Sequence, residues 1–464
     1  MFEVETNVAR QLNQLSSKKP VCEIDYSVIM QAIEDTNKEN GFEITEEQIN
    51  AIFMALKNRV TIISGGPGRG KTTIIQIIAE AFLRSSVPYS KSNVIMLAPT
   101  GRAAQRITEA TGFKAMTVHR AVLGDKIPSE KLVIVDETSM VDIFLMQKIL
   151  KYAKKCNLIF VGDVYQIASV GAGKVLKDMI ESKKIPYVIL QKGHRNSGTI
   201  AQNAEMIRQG ILRKNYIEDN HYVYTPSDSM HIKDIIVNDY LKKVQIYGIK
   251  DVLLCVAMRE RGPISVKVLN TAIQSILTKG NKELNLSNCI YRVGDRVMHT
   301  KNNYNLTRTL DDGTSVKGVF NGERGTIIAV NNSISKESKF ITVLYDDDSE
   351  VTYTSDVFDQ LSLAYATTIH KCQGSEAACV LLGYTFGDYL LLNRSLFYTG
   401  VTRAKKEFRL YSEEKFQYGS VMSAVDMAIK NNKDIKRNTS LKDFITNPPK
   451  ENNHSANKQL SFEF

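Results

Sequence analysis

Residues 65–72 read Gly-Gly-Pro-Gly-Arg-Gly-Lys-Thr, set between an apolar run (Val60–Ile63) and a helical run (Thr73–Phe82). A glycine-rich turn that leaves a strand and enters a helix can crowd its backbone N–H groups around a phosphate chain, and the helix adds its positive end. In this reading Gly66, Gly68 and Gly70 shape the turn and Lys71 reaches the β- and γ-phosphates. Thr72, followed by Thr73, ligates a magnesium ion. The segment predicts an α/β fold with a nucleoside triphosphate site.

The alternation continues on both sides. From Ile44 to about Leu190, strand candidates Val60–Ile63, Val94–Ala98, Leu132–Val135, Leu158–Val161 and Tyr187–Leu190 are separated by helix candidates such as Arg102–Ala110 and Ile143–Lys154. This pattern predicts a parallel sheet with helices on both faces. A second alternating region begins near Val252–Val256, includes a helix over Ser265–Leu277 and resumes over Leu361–Ala428. Between its halves, residues 290–360 carry turn signals (Asn321-Gly322, Arg324-Gly325, Asp346–Asp348) and short β-rich runs (Gly325–Val330, Phe340–Tyr345, Glu350–Tyr353). They predict a small inserted barrel.

The expected partition is an N-terminal arm or small cap (1–41), a first α/β domain (42–190) and a second in two pieces (191–300 and 360–430). The β insertion takes 301–359, and a flexible tail rich in Asn, Lys, Ser and Pro takes 431–464.

A chain of 464 residues, 43% hydrophobic, is large enough for two to four domains with sizeable cores. Its 60 basic and 50 acidic residues leave a net charge of +10, which favours a polyanionic partner such as nucleic acid. Six scattered cysteines without a CxxC pair read as reduced thiols of a cytoplasmic protein. The start MFEVETNVAR lacks a leader pattern and no apolar run is long enough to span a bilayer, so no membrane partner is expected.

Leu132–Val135 ends in Asp136 and Glu137, 65 residues beyond Lys71 with a strand and a helix between. At that spacing the first carboxylate holds magnesium through water and the second positions and deprotonates the attacking water. The next strand ends in Val161-Gly162-Asp163, followed by Gln166, whose amide can bond the γ-phosphate and report its loss. Gln48, about 20 residues before the loop, has the donor and acceptor needed to read an adenine edge. Arg195 and Arg403 lie outside the first nucleotide fold and can bring positive charge to the γ-phosphate from a second domain.

The ordered set ITEEQ, GGPGRGKTT, APTGRAAQRITEATG, TVHR, VIVDETSMVD, VGDVYQIASVGAG, GHRN, LAYATTIHKCQGSE and FYTGVTRAKK resembles a superfamily 1 DNA helicase. PTGRAAQRITEATGFKAMTVHR, SVGAGKVLKDMI and GDRVMHTKNNYN followed by GVFNGERGTI resemble its RecD-like branch, which includes the exodeoxyribonuclease V α-subunit. The resemblance covers roughly residues 42–412. It implies two RecA-like domains with ATP and magnesium in the cleft between them, an SH3-like insertion in the second, and single-stranded DNA across both. By position, Lys71, Thr72, Asp136, Glu137, Gln166, Arg195 and Arg403 take the roles above, and Gly374 and Glu376 face the nucleotide from the second domain. Pro99, Thr100 and Arg102 on the first domain and Thr368 and His370 on the second would contact the DNA backbone. His119 is divided between a structural hydrogen bond and a DNA contact.

The implied activity is 5′-to-3′ movement on single-stranded DNA by a monomeric motor that loads on a 5′ tail, in replication, recombination or repair. The match departs from the branch in two places. Only AVLGDKIPSEK (121–131) fills the gap where a duplex-splitting hairpin is expected, and the N-terminal region is reduced to about 40 residues. A translocase that displaces proteins without unwinding, and a non-motor DNA-binding subunit of a nuclease complex, are the alternatives. Gln459-Leu460-Ser461-Phe462-Glu463-Phe464 resembles the hexapeptides by which bacterial proteins bind the sliding clamp.

Overall fold

The computed structural model describes residues 1–448 except 87, 123–128, 192–197, 287–288, 333–338, 418–419 and 432–438. Arg195, most of the segment where a hairpin was sought, and the C-terminal hexapeptide lie outside the described residues.

The first domain opens with three helices, α1 (Phe2–Ser16), α2 (Tyr26–Asn40) and α3 (Glu46–Lys57), then alternates strand and helix. Its elements are β1 (Val60–Gly65), α4 (Lys71–Arg84), β2 (Val94–Ala98), α5 (Gly101–Thr111), β3 (Ala115–Thr117), α6 (Val118–Val122), β4 (Leu132–Val135), α7 (Ile143–Tyr152), β5 (Asn157–Gly162), α8 (Val175–Ser182) and β6 (Tyr187–Leu190). All six strands are parallel, in the order β3-β2-β4-β5-β1-β6. The five runs expected as strands coincide with strands, and the three-residue β3 is an addition at the edge.

Period-2 alternation decides which helices cover which face. Val60 and Ile62 of β1 point into a core shared with α1, α6, α7 and α8, whereas Ile63 joins α2, α3, α4 and α5 on the other side.

The second domain follows with α9 (Thr199–Gln209), β7 (Tyr222–Ser227), α10 (Ile232–Tyr247), β8 (Val252–Val256) and α11 (Val266–Leu277). A hairpin of β9 (Glu283–Asn285) and β10 (Ile290–Arg292) leads into the insertion. There β11 (Arg296–His299), β12 (Asn303–Thr309), β13 (Ser315–Val319), β14 (Arg324–Asn331), β15 (Phe340–Tyr345), β16 (Glu350–Thr354) and β17 (Leu361–Leu363) form one antiparallel sheet in the order β13-β12-β16-β15-β14-β11-β17. The insertion is wider than 301–359, because β11 and β17 pair with each other and share its core through Val297 and Leu361.

The chain then returns to the second sheet through β18 (Ala366–Thr368), β19 (Ala377–Tyr384), α12 (Arg394–Val401), β20 (Ala404–Gln417), β21 (Ser420–Ser423) and α13 (Ala424–Lys430). The order β18-β8-β19-β20, with β7 also on β20, is parallel throughout.

The segment expected as an N-terminal arm or small cap packs on the first domain, and so does the described part of the expected tail, 439–448. On α1, Val8, Ala9, Leu12 and Leu15 are buried in the first domain's core. The last described helix, α14 (Leu441–Thr446), inserts Leu441 and Ile445 into the same core, and Asn13 Nδ2 donates to the Ile445 carbonyl at 3.0 Å. Each helix offers a short apolar stripe among polar residues, so its partner supplies most of its reason to form. Replacing Leu441 by Ala is expected to lower stability by roughly 2–5 kcal/mol in chemical denaturation; a freely solvated tail would give no change.

Candidate functional site

The phosphate loop leaves β1 at its C-terminal edge, where α/β folds place ligands. Gly68 and Gly70 adopt left-handed backbone (φ +71° and +78°), open to glycine at little cost. Lys71 Nζ donates to the Gly65 carbonyl at 2.6 Å and the Gly66 carbonyl at 3.0 Å. Thr72 is exposed at the start of α4, with Thr73 half-buried behind it.

Gln48 is buried against this loop. Its Oε1 accepts from the Thr45 N–H at 2.8 Å, and its Nε2 donates to the Arg69 carbonyl at 2.9 Å. A β-carbon on Gly70 would stand 2.3 Å from that Nε2. The carboxamide thus caps α3 and anchors the loop with one bond at each end, which leaves it a second N–H and a second lone pair.

Asp136 and Glu137 close the next wall. Glu137 is held at φ +51°, a left-handed conformation that a non-glycine side chain adopts at a cost of order 1 kcal/mol, and its N–H donates to Asp136 Oδ1 at 2.7 Å. Burial, followed by the neighbouring Glu137, pushes the Asp136 carboxyl up to about 6, while Lys71 opposes the rise. Two adjacent carboxylates with one lysine nearby, and a hydroxyl at Thr72, fit a divalent cation that keeps most of its own waters. Among the described residues no group of three or more His, Cys, Asp or Glu is placed to hold a metal ion.

The second domain meets this site directly. Tyr398 of α12 donates its hydroxyl to Asp163 Oδ2 at 3.0 Å, and Gln166 Nε2 approaches the same oxygen at 3.4 Å. Gln166 Oε1 is buried without a partner, a group that costs about 1–3 kcal/mol to leave unmade. The next residue, Ile167, is gripped from both sides: its N–H donates to Thr399 Oγ1 at 3.0 Å and its carbonyl accepts from Gln373 Nε2 at 3.0 Å. Arg106 of α5 pairs with Glu376 across the interface, and Lys405 lies 3.6 Å from the same carboxylate. A cleft of about 1230 Å³ runs between the domains, walled by Gly65–Arg69, Tyr165, α9, Glu376 and Tyr398.

Arg403 is buried in its own domain. Its Nε donates to the Thr399 carbonyl (3.1 Å), Nη1 to the Ser375 carbonyl (3.4 Å) and Nη2 to Thr402 Oγ1 (3.2 Å), so its guanidinium is bonded within the second domain. Gly374, with φ +71°, packs against α5: a β-carbon there would lie 3.6 Å from Ala103 Cβ and 3.8 Å from Thr100 Oγ1. Of the two second-domain residues expected at the nucleotide, Glu376 lines the cleft and Gly374 sits at the start of α5.

The residues expected at the DNA gather in part. Thr100 caps α5 by accepting from the Ala103 N–H at 3.3 Å, with Pro99 half-buried before it. The insertion covers this helix start through Phe320, whose Cβ would be 2.6 Å from a β-carbon on Gly101. Arg102 is pushed down to about 10 by burial and by the nearby Arg324, and its Nη1 has no partner. Thr368 caps the turn Ile369–Cys372 by accepting from the Lys371 N–H at 3.4 Å, and His370 is half-buried on that turn. His119 lies on α6 with its edge open to solvent, and partial desolvation of the ring, followed by Lys148, lowers its pKa.

Tyr398, Thr399, Gln373 and Arg106 were not singled out from the sequence, although each lies in a segment that carried the resemblance. A hydroxyl or amide inside an apolar helix or turn is the signal they left, and only the facing domain gives it a partner.

Two parallel sheets joined across a phosphate-loop cleft define a two-domain P-loop nucleotidase. The comparisons give its family. Residues 43–225 match the AAA domain, 269–345 the SH3 domain of the ATP-dependent RecD-like DNA helicases, and 363–411 the UvrD-like helicase C-terminal domain. The RecBCD enzyme subunit RecD of Mycolicibacterium smegmatis is 29% identical over 421 residues, covering 80% of this chain and 71% of that one. The ATP-dependent RecD2 DNA helicase of Deinococcus radiodurans is 29% identical over 385 residues, covering 79% and 48%. Among solved structures, the Pif1 helicase from Candida albicans aligns over 81% of this chain and 95% of its own at 17% identity, with a TM-score of 0.46. The chain belongs to the RecD-like superfamily 1 DNA helicases, a family of ATP hydrolases, and its insertion is their SH3-like domain.

Because Gln48 anchors the loop, Gln48→Ala is expected to weaken ATP and GTP binding equally, by roughly tenfold for two lost hydrogen bonds. Titration with fluorescent analogues of both nucleotides checks this; a loss confined to ATP would return Gln48 to the adenine edge.

Proposed function

We propose that this chain is an ATP-driven motor that moves 5′ to 3′ along single-stranded DNA, with each turnover at the phosphate loop altering the grip of the second domain. The observation that carries the reading is the junction itself: the segment Asp163–Ile167, which follows the strand beside β1, is bonded to three second-domain side chains, Tyr398, Thr399 and Gln373. An event at the loop is therefore one contact away from the other domain.

In this reading Thr72 and Asp136 hold magnesium, and the magnesium–nucleotide supplies a phosphoanhydride bond polarised for attack. Lys71 gives up its two loop carbonyls to meet the phosphates, and Glu137 orients and deprotonates the water. Gln166, with its free acceptor and a long bond to Asp163, is poised to exchange partners when the terminal phosphate leaves. Arg403 must turn out of its buried bonds to reach a phosphate, so its service as a finger requires a further closing of the cleft; Arg195 is proposed as the second. Pro99, Thr100, Arg102, Thr368 and His370 would hold the backbone, with the SH3-like domain closing over them through Phe320. The 5′-to-3′ direction and a setting in replication, recombination or repair both rest on the RecD-like resemblance.

One observation favours a narrower activity. AVLGDKIPSEK (121–131) is all the sequence available where the resemblance implies a duplex-splitting hairpin, and residues 123–128 of it lie outside the described ones. Movement along a single strand needs no hairpin, so protein displacement without strand separation is the second reading.

On matched substrates with 5′ or 3′ single-stranded tails, ATP turnover is expected with either, and strand release only from the 5′ tail. Turnover without release supports the narrower reading, and release from the 3′ tail contradicts the direction. Lys71→Ala and Glu137→Gln are each expected to lower kcat by roughly 10²- to 10⁴-fold, with Glu137→Gln retaining nucleotide binding in equilibrium titration.

A further inference from the structure

We infer that Tyr398 is a positioning residue that passes the state of the phosphate loop to the second domain and on to the DNA face; the inference rests on the motor reading above. Its ring belongs to the second domain's core, yet its hydroxyl ends inside the first domain on Asp163 Oδ2. The same hydroxyl lies 2.8 Å from where a β-carbon on Gly66 would stand. One hydroxyl thus touches two groups that answer to nucleotide: the loop backbone and the carboxylate beneath Gln166.

The loop stands in one arrangement, and a bound phosphate would set a second. With Lys71 Nζ on the Gly65 and Gly66 carbonyls, Gly66 is drawn in and the Tyr398 hydroxyl fits over it. A phosphate competes for the ammonium, and release of those carbonyls frees Gly66 to move against Tyr398. Tyr398 and Asp163 are both buried, so no bulk water replaces their bond in place; the hydroxyl must carry Asp163 with it or yield it to Gln166. Asp163 Oδ1 is already taken by the Tyr165 N–H at 3.0 Å, which fixes the carboxylate and leaves Oδ2 as the exchanging oxygen.

From there the contacts continue toward the DNA face. Thr399, next to Tyr398 on α12, holds the Ile167 N–H, and Gln373 holds the Ile167 carbonyl. Gln373 leads into Gly374, which packs on Ala103 and Thr100 at the start of α5. A displacement of α12 relative to Asp163–Ile167 is therefore felt where the two domains meet the proposed strand. A tyrosine serving only as core would need its ring and not its hydroxyl.

Tyr398→Phe removes the hydroxyl and keeps the ring. ATP turnover is measured with and without single-stranded DNA, reading kcat and KM separately, alongside the melting temperature. The stimulation of kcat by DNA is expected to fall by about tenfold relative to the unsubstituted chain, with KM for ATP within about threefold and the melting temperature within a few degrees. Stimulation equal to that of the unsubstituted chain overturns the inference. If Tyr398→Phe is itself unstable, Thr399→Val and Thr399→Ser decide: the valine is expected to lose stimulation and the serine to keep it, and equal stimulation in both overturns the inference. Absence of DNA stimulation in the unsubstituted chain would instead contradict the motor reading.

Discussion

A buried carboxylate must have partners, and Asp163 draws one of its own from the other domain. It is 1% exposed, and the Tyr398 hydroxyl is the closer of the two donors on Oδ2. Leaving a buried acceptor without its donor costs about 1–3 kcal/mol, more than most exposed ion pairs contribute. Arg106–Glu376 and Lys405–Glu376, partly solvated, can only bias the interface; the Asp163 junction sets its register. Everything that follows in the cleft depends on whether that bond is kept or exchanged.

The phosphate loop is under the same kind of constraint. Lys71 neutralises carbonyl dipoles at Gly65 and Gly66, and Gln48 pins the loop at Arg69. Asp136 and Glu137 crowd two negative charges on one strand end, with Asp136 held up by burial and a left-handed backbone at Glu137. The crowded carboxylates and the left-handed backbone are the unfavourable part of the site, and a bound cation would relieve the crowding.

The local part of this was legible in the sequence. The strands of the first sheet, the loop, the acidic pair and the β insertion are short-range patterns, and short-range patterns survive without a partner. What escaped was long-range. The stripes on α1 and α14 are too brief to read until each meets the other across the length of the chain. Gln48 has the chemistry to read a base, and its added work of capping α3 at Thr45 and anchoring the loop at Arg69 shows only in the folded chain. Arg403 is a finger by position, while its guanidinium lies in three bonds to its own domain. Tyr398 reads as core in a helix of Leu, Phe and Val, because its hydroxyl has a purpose only when Asp163 faces it.

The account holds that nucleotide and DNA are linked through the junction of Asp163–Ile167 with α12. The most direct test is the dissociation constant for single-stranded DNA, measured without nucleotide and again with a saturating non-hydrolysable ATP analogue. The account predicts a change of about fivefold or more, matched by an equal change in analogue affinity when DNA is bound. Identical dissociation constants in the two states would contradict it.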